Sequence, residues 1–143
     1  MSITLETART ILAAALKAAG EHGFKPLTVV VLDAGAVPVA LERQDGASRL
    51  RPDIAIGKAN GALALGMGSR AIFKRATEQP YFIQSMNALC NGSLVPVPGG
   101  VLVRESAGGR ILGAVGITGD TSDNDEIAAI AGIEAAGLVA DAG

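Results

Sequence analysis

The sequence carries one histidine, one cysteine and no tryptophan in 143 residues. His22 and Cys90 therefore stand alone. A zinc site with several His or Cys ligands cannot be built within one chain, and an intrachain disulfide cannot form. A disulfide-stapled secreted scaffold is excluded, and a reducing cytoplasmic setting is the expectation. The only aromatics are Phe24, Phe73, Tyr81 and Phe82. That is too few for a platform that stacks nucleic-acid bases. A net charge of -2 and a pI near 5.3 argue the same way, so no nucleic-acid partner is expected. Apolar runs are short and broken by glycine, and Met1–Glu6 shows no basic stretch leading into an apolar one. Neither a membrane span nor a signal peptide is expected.

Small residues are what the chain has in quantity. Its 19 Gly and 26 Ala make up nearly a third of it, with no period of three, which excludes collagen. Hydrophobic residues reach 49% and charged ones only 18%, enough apolar surface to bury a core. The length suits a single domain over residues 1–143. So many small side chains imply close backbone approach, inside the fold or between subunits.

Thr4 can cap a first helix over about 4–21, with Leu5, Ala8, Leu12, Ala15, Leu16 and Ala19 as its apolar stripe and Gly20 and Gly23 at its end. Leu27–Leu32 and Val37–Arg43 read as strands of a hairpin turned at Asp33–Ala36, with Pro38 marking an edge. Helical spacing follows Pro52, although Gly57 and Gly61 weaken it unless something packs on the bare backbone. Shorter helices are expected from Ser69 and around Tyr81–Leu89. Val95–Gly100 reads as an extended loop. Val101–Glu105 and Arg110–Thr118 make a second hairpin, and the continuous apolar run of the latter suggests a central strand. A last helix starts near Asp123, with Ile127, Ile130, Ala131, Glu134 and Leu138 as its stripe. Asp123 and Glu126 have the spacing of a capping box. Two hairpins exclude a purely parallel sheet, so one antiparallel sheet with helices on its faces is the natural α+β solution.

Candidate chemistry sits in a few places. Gly66-Met67-Gly68-Ser69-Arg70-Ala71 has dinucleotide-loop spacing, but no strand precedes it, so it reads as a helix-to-helix turn. Arg43, Asp45, Arg49, Arg51 and Lys58 bring positive charge to a strand–loop–helix junction, suited to a carboxylate ligand or to a solvated face. His22 can be a helix C-terminal dipole partner or a haem or metal ligand. Cys90 reads as inert packing. Gly99-Gly100 and Thr118-Gly119 lie at strand ends where backbone donors can face an anion.

Several segments, taken in order, resemble the GlcG/HbpS-like family. They are Val29-Val30-Val31-Leu32-Asp33-Ala34-Gly35, Arg43-Gln44-Asp45-Gly46-Ala47-Ser48, Ile56-Gly57-Lys58-Ala59, Pro98-Gly99-Gly100-Val101, Gly113-Ala114-Val115-Gly116-Ile117-Thr118-Gly119, and Asp125-Glu126 with Ala131-Gly132. The resemblance implies a profilin-like fold of α/β/α layers around an antiparallel sheet of about five strands. It also implies self-association into homo-oligomers and, for some members, binding of haem or a related tetrapyrrole. Three functions are open at this level. In a binding module for a flat anionic ligand such as haem, Arg43, Arg51 or Lys58 would meet carboxylates, Tyr81, Phe82 and Met86 would give apolar contact, and Gly99, Gly100, Thr118 and Gly119 would line the site. In a small enzyme acting on an oxoacid or other carboxylate metabolite, Arg43 or Lys58 would orient the substrate and Asp45 or Glu105 would move a proton. The third is an oligomeric accessory scaffold.

Overall fold

In a computed structural model describing residues 2–143, the chain runs α1 (Leu5–His22), β1 (Thr28–Asp33), β2 (Pro38–Arg43), α2 (Arg51–Leu65), α3 (Ser69–Glu78), α4 (Pro80–Leu89), β3 (Gly100–Arg104), β4 (Ile111–Thr118), α5 (Ser122–Ala135) and β5 (Val139–Asp141). Thr4 caps α1 through its hydroxyl, which accepts from Thr7 N at 3.2 Å. Gly23 closes the same helix in the left-handed region, at φ 69°.

All strands pair antiparallel, in the order β2-β1-β4-β3-β5. The central place of β4 follows from its run of buried residues. The edge place of β2 follows from Pro38 and from exposed Glu42 and Arg43. Side chains alternate between the sheet's two faces. Val29, Val31, Val101, Val103, Val115 and Ile117 pack toward α1 and α5. Val30, Leu32, Leu102 and Ala114 pack with Ala55, Ala59 and Ala62 of α2. Both faces are covered, which is why β1 reads as one continuous apolar run. Ile72, Ile83 and Leu94 form a small third cluster under α3 and α4.

The small residues are the packing device. A Cβ on Gly116 would fall 2.0 Å from Ala55 O, so α2 lies directly on the sheet backbone. Gly57 and Gly61 of α2 face Val95 and Leu94, whose side chains a Cβ would meet at 2.7 and 3.0 Å. The segment after α4 thus occupies the bare backbone that makes those glycines costly. On the other face, a Cβ on Gly132 of α5 would come within 2.5 Å of Ile11 O in α1.

Two sequence expectations are corrected. The buried stripe of α5 is Asp125, Ala128, Ala129, Gly132 and Ile133, while Ile127 is 44% exposed and Glu134 is exposed. Large apolar side chains mark a stripe in the sequence, but the face able to approach α1 closely is the one with the smallest. The cap of α5 is Thr121, accepting from Asn124 N at 3.2 Å, so Asp123 and Glu126 form no capping box. Both acids pair instead with Arg70, at 2.5 and 2.9 Å. Val139–Asp141 supplies, beside β3, the fifth of the about five strands that the family resemblance implies; the residue pattern alone shows four, because three residues carry no pattern of their own.

Candidate ligand-binding site

One end of the sheet gathers most of the candidate residues. Thr28 of β1 sits opposite Arg43 of β2 and opposite Thr118 of β4, so these three stand in a row across the sheet. The row shares a face with Val30 and Ala114, the face that α2 covers. Arg51, the first residue of α2, donates from NH1 to Thr118 Oγ1 at 2.7 Å. Arg43 donates from NH1 to Ala47 O at 2.8 Å and so curls the loop after β2. Thr28 Oγ1 is buried without a partner.

Lys58 lies beneath this rim, 2% exposed. Its ammonium donates to Ile117 O at 2.9 Å and to Asp125 Oδ2 at 3.1 Å. Gly99, at φ 119°, leaves room for that side chain: a Cβ there would meet Lys58 Nζ at 2.9 Å. Burial pushes the Lys58 ammonium below its ordinary value against the pull of Asp125, and the charge of Arg51 pushes the same way. Burial pushes the Asp125 carboxyl up in turn, against the Lys58 charge. The pair begins a relay. Asp125 Oδ1 accepts from Asp120 N at 3.0 Å. Asp120 Oδ2 accepts from Lys25 N at 2.7 Å, and its Oδ1 from Thr121 N and the Asn124 amide at 2.7 and 2.8 Å. These donors hold the Asp120 carboxyl down at about 2. A buried ion pair joining α2 to α5 thus sets the loop from Gly119 to Thr121 and the approach to β1.

Two neighbouring hollows open at this end and share Pro26. The larger is an open shelf of about 600 Å³ lined by Leu16, Phe24, Pro26, Arg43, Gln44 and the acids Glu42 and Asp45. The His22 ring stacks on Phe24 with centroids 5.1 Å apart. The smaller, about 210 Å³, is lined by Lys25, Gly46, Ser48, Arg51 and Gly119 among others.

The remaining candidates lie elsewhere. Lys58 is spent on Asp125 and does not reach the rim. Gly99 and Gly100 face inward: Gly100 N donates to Ser69 Oγ at 2.7 Å, and a Cβ on Gly100 would meet Lys58 O at 2.2 Å. Thr118 is buried, with Arg51 on its hydroxyl. Tyr81 is 66% exposed on α4, and Phe82 lies under Arg75 at 4.1 Å, so neither lines a hollow with Arg43 or Arg51. Met86 packs in the third cluster. Glu105 pairs with Arg110 at the far end of the sheet, separated from Asp45 by the length of β4, roughly 24 Å at 3.4 Å per residue. Of the candidates for an oxoacid enzyme, Arg43 and Asp45 line one shelf, whereas Lys58 and Glu105 stand apart from it. Sequence reasoning missed Lys25, and it named Asp125 only within a family-like segment, with no role. The signal for Asp125 was its phase: it falls on the Ala128–Ala129–Gly132 face.

These features define a class: an α+β protein with an open antiparallel five-stranded sheet, covered by helices on both faces and hollowed at one sheet end. The sequence profile of the HbpS-like family, described as haem degrading protein HbpS-like, matches residues 3–134, and the chain belongs to that family. Among solved structures it is similar to Klebsiella pneumoniae ORFY, a DUF336 protein, at 28% identity and TM-score 0.83, over 94% of this chain and 90% of that one. It is similar to Streptomyces reticuli HbpS, solved as a double mutant, at 27% identity and TM-score 0.77, over 94% and 86%. It shares its fold with PduOC, solved as a haem complex, at 21% identity and TM-score 0.84, over 96% and 97%. No curated protein matches the chain. Among the described residues no helix is long and apolar enough to cross a membrane.

Proposed function

We propose that the protein is a small-ligand-binding module that takes haem or a related tetrapyrrole on the shelf at the β1–β2 end of the sheet. The observation that carries this reading is the shelf's composition. Leu16, Phe24 and Pro26 supply an apolar wall, the chain's single imidazole stacks on that wall, and Arg43 stands at the rim with its guanidinium NH1 on Ala47 O. Its volume falls within the span of about 300–1,000 Å³ usual for ligand clefts. In these respects the residues fit a flat apolar anion. Glu42 and Asp45 share the rim, so the shelf is no general anion trap: the wall and His22 select the ligand, and Arg43 orients a carboxylate. The family description and the haem complex of PduOC support the same reading. Bound haem would supply an iron able to bind oxygen and exchange electrons. Leu16, Phe24 and Pro26 would keep water from one side of the ring, and His22 is the available nitrogen donor. The reading includes a homo-oligomer, because β2 is an edge strand that leaves Val37 and Leu41 58% and 38% exposed beside it.

Haemin titrated into the protein should shift its Soret band and saturate at one equivalent per chain. Phe24→Asp should remove saturation, and His22→Ala should keep binding but move the band. Absorbance that rises without saturation, or a Phe24→Asp variant that binds as the parent does, would overturn the assignment.

A further inference from the structure

The smaller hollow has a chemistry of its own. Two cations, Lys25 and Arg51, line its wall, and no acidic side chain does. Neither cation takes part in any ion pair among the described residues. Arg51 spends one guanidinium N–H on Thr118 Oγ1, of the five donors that the group carries. Asp120, the acid next to Lys25, has both carboxylate oxygens occupied by three donors. Asp53, in the first turn of α2, is exposed and does not line the hollow. Beneath the floor, Lys58 feels the positive charge of Arg51. The lining itself is thus positive; the nearest acids, Asp120 and Asp45, stand outside it, and the Asp120 charge, which feels Lys25, offsets the field only from one side.

The remaining walls favour the same ligand. The hollow abuts the start of α2, a 15-residue helix with no side-chain cap, whose N-terminal dipole adds to the field. Ser48 offers a hydroxyl. Gly119, at φ 143°, keeps the opposite wall low, since a Cβ there would sit 2.3 Å from Pro26 O. The Lys58–Asp125–Asp120 relay fixes Gly119 and the Lys25 backbone before any ligand arrives, which lowers the ordering cost of binding. A volume of about 210 Å³ is too small for a macrocycle and suits a few heavy atoms.

We infer that the Lys25–Arg51 hollow is a second binding site, for a compact doubly charged oxyanion: a short dicarboxylate or a phosphoryl group. The site is independent of the shelf and needs no haem. Isothermal titration of haem-free protein at low ionic strength, with malonate in one arm and inorganic phosphate in the other, tests it. At least one anion should saturate at one per chain. Lys25→Gln and Arg51→Met should each weaken it tenfold or more, whereas Arg9→Gln, on α1, should leave it unchanged. The tighter arm names the source, dicarboxylate or phosphoryl. Amide shifts at Gly46, Ser48 and Gly119 should follow the same isotherm. Arg51→Met removes the Thr118 bond, so if that variant unfolds, exposed Lys25→Gln decides alone. Saturation by neither anion, or binding unaltered in Lys25→Gln, would overturn the inference.

Discussion

At the scale of single residues, the most consequential side chains are the buried polar ones. Removing one partner of Lys58–Asp125 strands a charge in a water-free place. Asp125→Ala should therefore cost about 3–5 kcal/mol in urea unfolding. Replacing both together, Lys58→Met with Asp125→Leu, should recover most of that loss, because no buried charge remains. Thr28→Val should stabilise the protein by about 1 kcal/mol in the same assay, since the hydroxyl is buried without a partner and valine has its shape. Asp120 gives a pH signature. Its folded value near 2 lies below the ordinary carboxyl value of 3.8, so the stability it contributes is complete above pH 4 and is lost as pH falls toward 2. The Lys25 and Thr121 amides, followed by NMR, should titrate with a midpoint near 2. Titration near 4 would show that the three hydrogen bonds do not persist in solution. Lys58 shows the limit of reading residues singly. Its position at a basic junction is plain in the sequence, but Asp125 is 67 positions away, and only their packing turns a candidate surface cation into a buried one.

At the scale of elements, the decisive contact is α1 against α5. Both helices are rich in alanine, and the buried face of α5 holds Ala128, Ala129 and Gly132. Gly132→Ala places a methyl 2.5 Å from Ile11 O, a backbone atom that cannot turn aside, and should cost about 1–3 kcal/mol. Gly20→Ala, in the same bundle but exposed with nothing within 4 Å, should gain about 0.5–1 kcal/mol from helix propensity. Urea midpoints for the two variants should thus move in opposite directions. Elements whose signals are local were legible in advance: the α1 cap at Thr4, the two hairpins, and the edge character of β2 around Pro38. The face of α5 was not, because periodicity weighs large side chains, whereas close helix packing selects small ones. The strand β5 was not either, since three residues paired to β3 carry no pattern before the partner is known.

At the scale of the whole molecule, the antiparallel sheet brings distant segments to one end. The residues after β2, before α2 and after β4 meet there, and the β3–β4 hairpin with Glu105 goes to the other. This convergence is why both proposed sites lie at that end. The open edge of β2 bears on assembly. Native mass spectrometry should report a multiple of the chain mass, and Leu41→Lys should shift it toward the monomer. A monomeric parent at micromolar concentration would remove the oligomer from the reading.

The sequence by itself determined the α+β class, the antiparallel pairing, the order of elements through α5 and the likeness to a family, because hydrophobic period, turn chemistry and ordered motifs are properties of neighbours along the chain. It also determined that no single chain could assemble a multi-histidine metal centre. Only the tertiary structure decided that Lys58 and Asp125 are buried together, that Gly99 and Gly100 face inward, and that Lys25 joins Arg51 at a common hollow. Those outcomes depend on which atoms share a small volume after packing, and separation along the chain holds no record of it.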